Sequence, residues 1–344
     1  MPRQGRLDFP EAIHYVCVSG RSGASIYFDA GILRGFPENL CRRAPNVERF
    51  EFLLARACDE SGAVVHAYSS LPNAAVIVIQ RSDVPLELIM GSVFGQYSRY
   101  LRSEGRVVRD ERVYNGRYDN KVIAPMYLAH AVRRVHRSPV DAGLCDRPAD
   151  YPFSSERVYT GRSLLRWVET TAVTAALRER GYSGPAGYRQ FMDKADTEHV
   201  ARLFACGSKW DRRVVGDRAF VGEALRKAAH VPAAPTQDEL VEAVAGLLGM
   251  QPTSIYERTH GSVIGRALVA WYATRSGAAT LLEVGRWFCR SATTLRREID
   301  KYKVLKPTLF HLSTQDLLSP RSVSTGRGPR EYTDKFEASA EVAD

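Results

Sequence analysis

The hydrophobic positions in the first part of the chain alternate between strand and helix spacing. Alternating or continuous β-branched apolar runs predict strands at residues 12–20, 63–70 and 74–80. Apolar side chains at helical spacing predict helices at residues 46–61, 86–105 and 126–144. The order β-α-β-β-α…α predicts an α+β fold, in which helices pack on an antiparallel sheet.

Proline, glycine and helix-capping residues predict where several helices begin or end. Pro139 predicts that the helix before it ends near Ser138, because proline disfavours helical backbone in the preceding residue. Gly181 predicts the end of a helix that starts near residue 168, and residues 185–204 continue as helix. Residues 231–236 read as a linker, and Thr236 with Glu239 has the spacing of a capping box. We therefore expect four regions. They are an α+β domain (1–161), a helical connection (162–235), an all-α domain (236–306) and a disordered tail (319–344).

Composition narrows the class of protein. No run of 18 apolar residues occurs, and the first residues lack the apolar segment of a secretory signal, so no membrane span or export is expected. The six cysteines are scattered and form no C-x-x-C pair, which favours reduced thiols in the cytoplasm. The net charge is +9, and the segment 258–306 holds ten Lys/Arg against three Asp/Glu. Such a concentration predicts a polyanionic partner.

Five segments, in order, resemble one family. They are "MPRQGRLDFPEAIHYVCVSGR", "HAYSSLPN", "YNGRYDNKVI", "YLAHAVRRVHRSPVDAGL" and "RPADYPFSSERVYTG". Together they are similar to the REP-associated tyrosine transposases, a branch of the HUH single-strand DNA transposases. The likeness covers about residues 1–161 and continues weakly through 216–225. It implies an HUH-like sheet with packed helices.

The resemblance also implies chemistry that this chain cannot perform in the same way. In the family, a His–apolar–His pair after Pro-Asn holds a divalent metal, and a tyrosine on a later helix attacks the DNA phosphate. The histidine positions correspond here to Ala74 and Val76, and the tyrosine position to Arg134. The asparagine of the family's Asn-Pro-Val turn corresponds to Ser138. Alanine and valine cannot bind a metal, and arginine is no nucleophile. We therefore expect no catalytic residue, no metal and no cofactor.

One alternative is an active metal-dependent strand transferase that uses relocated residues. The candidates for such a site are His14, His66, Tyr118, Tyr127 and His130. A relocated site would need its parts within about 3 Å of one phosphate. The simpler interpretation is that these side chains pack or form hydrogen bonds. Another alternative is a decayed element that binds DNA weakly and without sequence preference.

Two basic segments of the first domain are candidate DNA contacts. Arg133, Arg134 and Arg137 lie near the end of a predicted helix, where they would hold phosphate or simply face solvent. Arg99, Arg102 and Arg106 begin a second segment. It continues with Arg109, Arg112 and Arg117 and is interleaved with Tyr97, Tyr100 and Tyr114. Interleaved basic and aromatic residues suit a nucleic-acid strand.

Residues 280–303 predict a helix-turn-helix. Leu281, Leu282, Val284 and Phe288 would face a core, Gly285 would allow the helices to approach, and Ser291 would cap the second helix. Residues 236–305 resemble the DNA-binding domain of the bacterial replication initiator. That resemblance implies contacts to the DNA backbone from Arg258, Thr259 and His260. The candidates for the major groove are Arg290, Ser291, Thr293, Thr294, Arg296, Arg297 and Lys301. An ordinary helical bundle with a basic surface is the alternative.

The interpretation that joins these signals is a catalytically inactive, domesticated transposase derivative. It would bind specific DNA sequences as a transcriptional regulator in the cytoplasm, associated with the nucleoid. The expected partner is DNA, as a duplex for the helix-turn-helix and as a hairpin or single strand for the first domain. The sequence leaves a monomer and a homodimer both open, and it names no target site.

Overall fold

The computed structural model describes residues 5–21, 25–28, 45–257 and 259–319. Its strands are β1 (Ile13–Ser19), β2 (Val64–Ser70), β3 (Ala74–Gln80), β4 (Asp119–Ile123) and β5 (Val214–Val215). Its helices begin with α1 (Pro45–Ser61), α2 (Leu86–Ser103), α3 (Leu128–Asp141), α4 (Glu156–Tyr159), α5 (Thr171–Glu179), α6 (Gly184–Asp193) and α7 (Glu198–Cys206). They continue with α8 (Arg218–Ala229), α9 (Gln237–Leu248), α10 (His260–Ser276), α11 (Leu281–Trp287), α12 (Ala292–Leu305) and α13 (Thr314–Leu318). The predicted tail from residue 320 onward and Arg258 lie outside the described residues.

In this part of the chain the strands form one five-stranded sheet in the order β2-β3-β1-β4-β5. The pairs among β1 to β4 are antiparallel, whereas the two-residue β5 pairs with β4 in parallel. The predicted α+β class with helices packed on the sheet is therefore confirmed. The sheet is mixed rather than wholly antiparallel, because β5 follows a helical stretch that returns the chain to the edge of β4.

β3 is buried on both faces, which explains its unbroken apolar sequence. Val76 and Val78 belong to a core that includes α3, whereas Ile77 and Ile79 belong to a core that includes α1 and α2. Alternate side chains of a strand point to opposite faces, so both faces need apolar residues. The sheet thus lies between two helical layers.

The prediction that the helix ends near Ser138 is wrong, because α3 continues through Pro139 to Asp141. Proline has no N–H to donate to the carbonyl of Val135, four residues earlier. The hydroxyl of Ser138 donates to that carbonyl instead, at 2.7 Å. A side-chain bond replaces the missing backbone bond and lets the helix continue.

The C-terminal helices surround α10, whose residues 267–273 are all buried. A helix that is buried on every side lies at the centre of a bundle. The expected capping box is present, since Thr236 accepts from the amide of Glu239, whose side chain accepts from Thr236. The prediction that Leu282 faces the core is wrong, because its side chain is 60% exposed. Val284, which was also predicted to face the core, is fully buried.

Arg275 links this bundle to the sheet domain through hydrogen bonds and an ion pair. Arg275, at the end of α10, donates to the carbonyls of Glu60 and Ser61 at 2.6 and 3.1 Å. It also pairs with Asp83 at 2.7 Å. The carbonyls at a helix C-terminus carry partial negative charge, so an arginine from the other domain stabilises the end of α1.

Among the described residues, the helices are too short or too polar to cross a bilayer.

Candidate nucleic-acid interface

Ala74 and Val76, which the sequence resemblance predicts to match the transposase histidines, lie on β3, beside β1. Val76 is opposite Cys17 and Ala74 is opposite Ser19 in the antiparallel register. Val76 faces the core that contains α3 and is almost fully buried. The described residues contain no group of three or more His, Cys, Asp or Glu arranged to hold a metal. At this point of β3, Val76 packs in the core on the α3 side of the sheet.

Arg134, which the sequence resemblance predicts to match the transposase tyrosine, lies on α3 near the same face of the sheet. Its side chain is 30% exposed and pairs with Asp196 at 2.6 Å. Its guanidinium lies 5.1 Å from the ring centroid of Phe204, and that ring packs edge-on against Tyr15 at 5.7 Å. The charge of Arg134 is thus already partly neutralised by protein.

Arg133 is buried, with 3% of its surface exposed. It pairs with Asp196, donates to His130 at 3.0 Å and lies over the ring of Phe191. Because these partners hold the Arg133 side chain inside the protein, we do not include it among the candidate DNA contacts. Arg137 is half-buried and donates to the carbonyl of Met192 at 3.2 Å.

Asp196 is the residue that organises this cluster, and the sequence did not single it out. Burial alone would raise the pKa of its carboxyl, but hydrogen bonds from His130 and Arg133 and the charge of Arg133, aided by Arg134, lower it. Asp196 lies between α6 and α7, more than sixty residues after its partners. No local pattern connects it to them.

The candidates for a relocated site are held in separate networks. His14 bonds to Asp8 and Asn120, and His66 bonds to Gln80 and the carbonyl of Glu169. Burial lowers the pKa of His66, with its hydrogen bonds opposing that shift.

The two tyrosines among these candidates also lie apart. Tyr118 belongs to the core on the α1–α2 side of the sheet, while Tyr127 packs against the core on the α3 side. Burial raises the pKa of Tyr118 to about 12. His130 lies beside Tyr127, with 6.3 Å between ring centroids, but it bonds to Asp196.

The tyrosines of the second basic segment face inward. Tyr97 is fully buried and donates to the carbonyl of Ile26 at 2.8 Å. Tyr100 and Tyr114 are partly buried against the same core. The helical period of α2 turns Tyr97 toward the sheet, so the expected alternation of exposed rings and arginines does not form.

The arginines of this segment are mostly at the surface. Arg99, Arg106, Arg109, Arg112 and Arg117 are exposed. Arg102 is half-buried and donates to the carbonyl of Glu111 at 2.9 Å. This segment therefore presents exposed arginines, while its three tyrosines pack toward the core.

The predicted turn between α11 and α12 is tight. A Cβ atom on Gly285 would lie 2.5 Å from the carbonyl oxygen of Arg290, so only glycine fits there. Cys289 adopts a left-handed φ of 51°, and the amide of Arg290 donates to the carbonyl of Gly285 at 2.8 Å. Ser291 caps α12 by accepting from the amide of Thr294.

α12 has distinct inner and outer faces. Leu295, Ile299 and Tyr302 are buried in the bundle. The exposed residues of the predicted DNA-reading set are Ser291, Thr293, Arg296, Arg297 and Lys301, while Arg290 and Thr294 are half-buried. Burial raises the pKa of Glu298, on the flank of the helix, against the opposing charges of Arg266 and Arg290.

Hydrogen bonds from a buried arginine hold the loop before α10 in place. Buried Arg266 donates to the carbonyls of Ile255 and Glu257, at 3.1 and 2.7 Å. Thr259 caps α10 and is exposed. Arg258 and the side chain of His260 lie outside the described residues, so their expected contacts to the DNA backbone stay predictions.

Comparison with known proteins yields one structural neighbour. No family model matches the chain, and no curated protein sequence matches it. A solved structure of a REP-associated tyrosine transposase bound to a REP hairpin aligns with 50% of this chain and 94% of its own. The aligned residues are 14% identical and the TM-score is 0.37.

Proposed function

We propose that this chain is a sequence-specific DNA-binding protein that reads duplex DNA with α12 and does not cleave DNA strands. The observation that carries the proposal is the outer face of α12. Thr293, Arg297 and Lys301 are spaced four residues apart and are exposed, so they share one stripe of the helix.

The position of this stripe suits major-groove binding. A recognition helix enters the groove with its N-terminal residues closest to the bases, and the preceding helix supports it. α12 starts at a capped Ser291 after a tight turn from α11, and in its first turns Thr293 and Arg297 are exposed while Leu295 is buried. Arginine and lysine at such positions form bidentate contacts with guanine, and threonine contacts either hydrogen-bonding edges or a thymine methyl group.

The proposal excludes strand cleavage by the family's mechanism. Ala74 and Val76 offer no lone pair to a metal, and Arg134 is held by Asp196 in place of a nucleophile. A protein that keeps a DNA-reading helix and lacks this chemistry fits a transcriptional regulator. A palindromic target would favour a homodimer, since two copies of α12 would occupy two half-sites.

The test is selection of bound duplexes from a random library, followed by cleavage assays. We expect one enriched motif, and we expect its enrichment to be lost in the Arg297→Ala variant. Purified protein with Mg²⁺ or Mn²⁺ should leave hairpin and single-stranded oligonucleotides intact. A covalent protein–DNA adduct that disappears in Tyr127→Phe or Tyr118→Phe would instead establish a strand transferase. Binding without any enriched motif would indicate a decayed element.

Occupancy in the cell addresses the regulatory part of the proposal. A regulator should occupy a few promoters that share the selected motif. Occupancy of dispersed short palindromes would point to a transposase-like substrate and count against regulation.

A further inference from the structure

A cleft of about 530 Å³ lies between the sheet domain and the C-terminal bundle. Residues of α1 and α2 line one side, and residues of α10, α11 and α12 line the other. The two sides approach each other at Leu88 and Gly277, since a Cβ atom on Gly277 would lie 3.3 Å from Cδ1 of Leu88. Small-molecule sites have volumes of about 300–1,000 Å³ and are common at domain interfaces, so the cleft has the size and the place of such a site.

Much of the wall of the cleft is apolar. Leu88 and Ile89 lie on the side of the sheet domain, and Leu281 and Ile299 lie on the side of the bundle. Leu88 is 37% exposed and Leu281 is half-buried, so apolar surface from both sides is in contact with solvent. A molecule with an apolar body that covers this surface is favoured by the hydrophobic effect.

The charged side chains of the wall balance one another, because two arginines and two glutamates line the cleft. Arg275 pairs with an aspartate of the sheet domain at 2.7 Å, and Arg296 lies 4.0 Å from Glu60. Glu283 caps its own helix, accepting from the amide of Thr280 at 2.7 Å. An ionised ligand group would lose water here without meeting a net opposite charge, so an uncharged ligand is the better fit.

Two N–H groups of side chains in this wall have no acceptor among the described residues. They are the indole N–H of Trp271 and the Nε–H of Arg275. Trp271 is 6% exposed, and Cζ of Arg275 lies 5.0 Å from its ring centroid, so the two donors are neighbours on α10. Buried N–H groups nearly always have an acceptor. An oxygen atom supplied by a ligand would satisfy these two.

We propose that the cleft binds an uncharged, mainly apolar small molecule whose carbonyl oxygen accepts from Trp271 and Arg275. The apolar walls hold the body of the molecule, the balanced charges disfavour an ionised group, and the two free donors call for an acceptor. A carbonyl is the fitting acceptor because its oxygen has two lone pairs and carries no hydrogen that would itself need a partner.

The same molecule would contact the helix that carries the proposed function. Arg296 and Ile299 belong to α12 and line the cleft. The bound molecule is therefore an effector, whose binding free energy is coupled to that of DNA. The effector role rests on the proposed function, whereas the ligand site itself does not.

The indole N–H signals in nuclear magnetic resonance spectra of the intact chain report on the site directly. The chain has four tryptophans, and Trp271→Phe identifies the signal of Trp271. We expect acetophenone to move this signal downfield and to leave the signals of Trp167, Trp210 and Trp287 unchanged, because those three do not line the cleft. Ethylbenzene, which has a methylene group in place of the carbonyl, should bind about fivefold more weakly. Benzoate, which is ionised, should also bind more weakly than acetophenone.

Substitutions provide the second readout. Leu88→Trp puts a larger side chain into the cleft and should abolish acetophenone binding. Leu225→Trp is the matched control, because Leu225 on α8 is 39% exposed against 37% for Leu88 and does not line the cleft. Trp271→Phe removes one donor and keeps the aromatic ring, so it should reduce the advantage of acetophenone over ethylbenzene.

Titration of the motif duplex with and without acetophenone tests the effector role. We expect saturating acetophenone to change the duplex affinity by about fivefold or more, and the duplex should change the acetophenone affinity by the same factor. Leu88→Trp should abolish this change. An unchanged duplex affinity in the wild type would overturn the effector role.

The outcomes separate the ligand site from the proposed function. Equal binding of acetophenone and ethylbenzene, tighter binding of benzoate, or equal shifts of all the indole signals would overturn the assignment of the cleft. These measurements need no DNA. Failure to bind any duplex would therefore overturn the proposed function and the effector role, while the ligand site is decided by the indole signals.

Discussion

α3 and α12 are both 14 residues long and each carries two adjacent arginines, yet the two pairs have opposite environments. Arg133 and Arg134 on α3 both pair with Asp196, and Arg133 is buried. On α12, Arg297 is exposed, and Arg296 is 47% exposed with Glu60 at 4.0 Å.

The difference shows that a run of arginines does not by itself mark a DNA surface. What decides its role is whether a distant segment brings an acid to it. Asp196 reaches α3 because α6 and α7 pack on the same face of the sheet, whereas the outer stripe of α12 is exposed in the part of the chain that the structure describes. A paired buried arginine contributes to structure, and an unpaired exposed one remains available to a phosphate or a base.

The largest expected effect is on stability at α3. Asp196→Asn would leave the buried Arg133 charge without its carboxylate, and we expect a loss of about 3 kcal/mol in the free energy of unfolding. Denaturant titration measures it. Asp193→Asn, which changes an exposed aspartate three residues earlier, should cost less than about 0.5 kcal/mol. Equal effects of the two substitutions would show that the cluster is not structural.

The same cluster predicts a pH dependence. The pKa of Asp196 is lowered in the folded protein, so its stabilisation is complete above the unfolded pKa of about 3.9 and is lost as the pH falls toward the folded value. The stability difference between the wild type and Asp196→Asn should therefore be constant near neutral pH and shrink below about pH 4. A difference that persists unchanged in acid would mean that the carboxylate charge contributes nothing.

The next effect is on DNA affinity at α12. Arg297→Ala should weaken binding to the selected duplex by about 2 kcal/mol and relax the preference at one base position. Arg296→Ala should cost less, because Arg296 lines the cleft between the domains, near Glu60. Arg134→Ala should leave duplex affinity and preference nearly unchanged. Fluorescence titrations with specific and random duplexes compare the three, and a larger loss from Arg134→Ala than from Arg297→Ala would reverse the assignment.

A smaller effect is expected at the start of α12. Ser291→Ala removes the cap and should cost about 1 kcal/mol in the free energy of unfolding. Ser291→Asp, which can also accept from the amide of Thr294, should retain the stability while weakening DNA affinity through charge repulsion. Equal loss of stability in both variants would contradict the capping role.

The smallest effect concerns Pro139 in α3. Ser138→Ala leaves the carbonyl of Val135 without the hydroxyl that bonds it, and we expect a loss of about 1 kcal/mol or less. Ser103 donates to the carbonyl of Tyr100 at an exposed site, so Ser103→Ala is the matched control and should be nearly neutral. If the double variant Ser138→Ala/Pro139→Ala recovers stability, the missing proline N–H is the cause.

The local sequence pattern determined the positions of several helices and helix caps in this protein. The periodicities of residues 46–61 and 86–105, the capping box at Thr236 and the cap at Ser291 depend on neighbours within a few residues, and the structure has them where they were predicted. The sequence resemblance aligns Ala74, Val76 and Arg134 with the metal ligands and nucleophile of the transposases, and that alignment stays a prediction.

Tertiary structure alone decided which charged and aromatic side chains are available. The inward turn of Tyr97, the pairing of Arg133 with Asp196 and the exposure of Leu282 each depend on an element that packs from far along the chain. Cys206 lines two cavities, one at α7 and the loop after it and one between the N-terminal segment and β4. Burial and ion pairing act over a few ångströms in space, whereas sequence patterns record only separation along the chain.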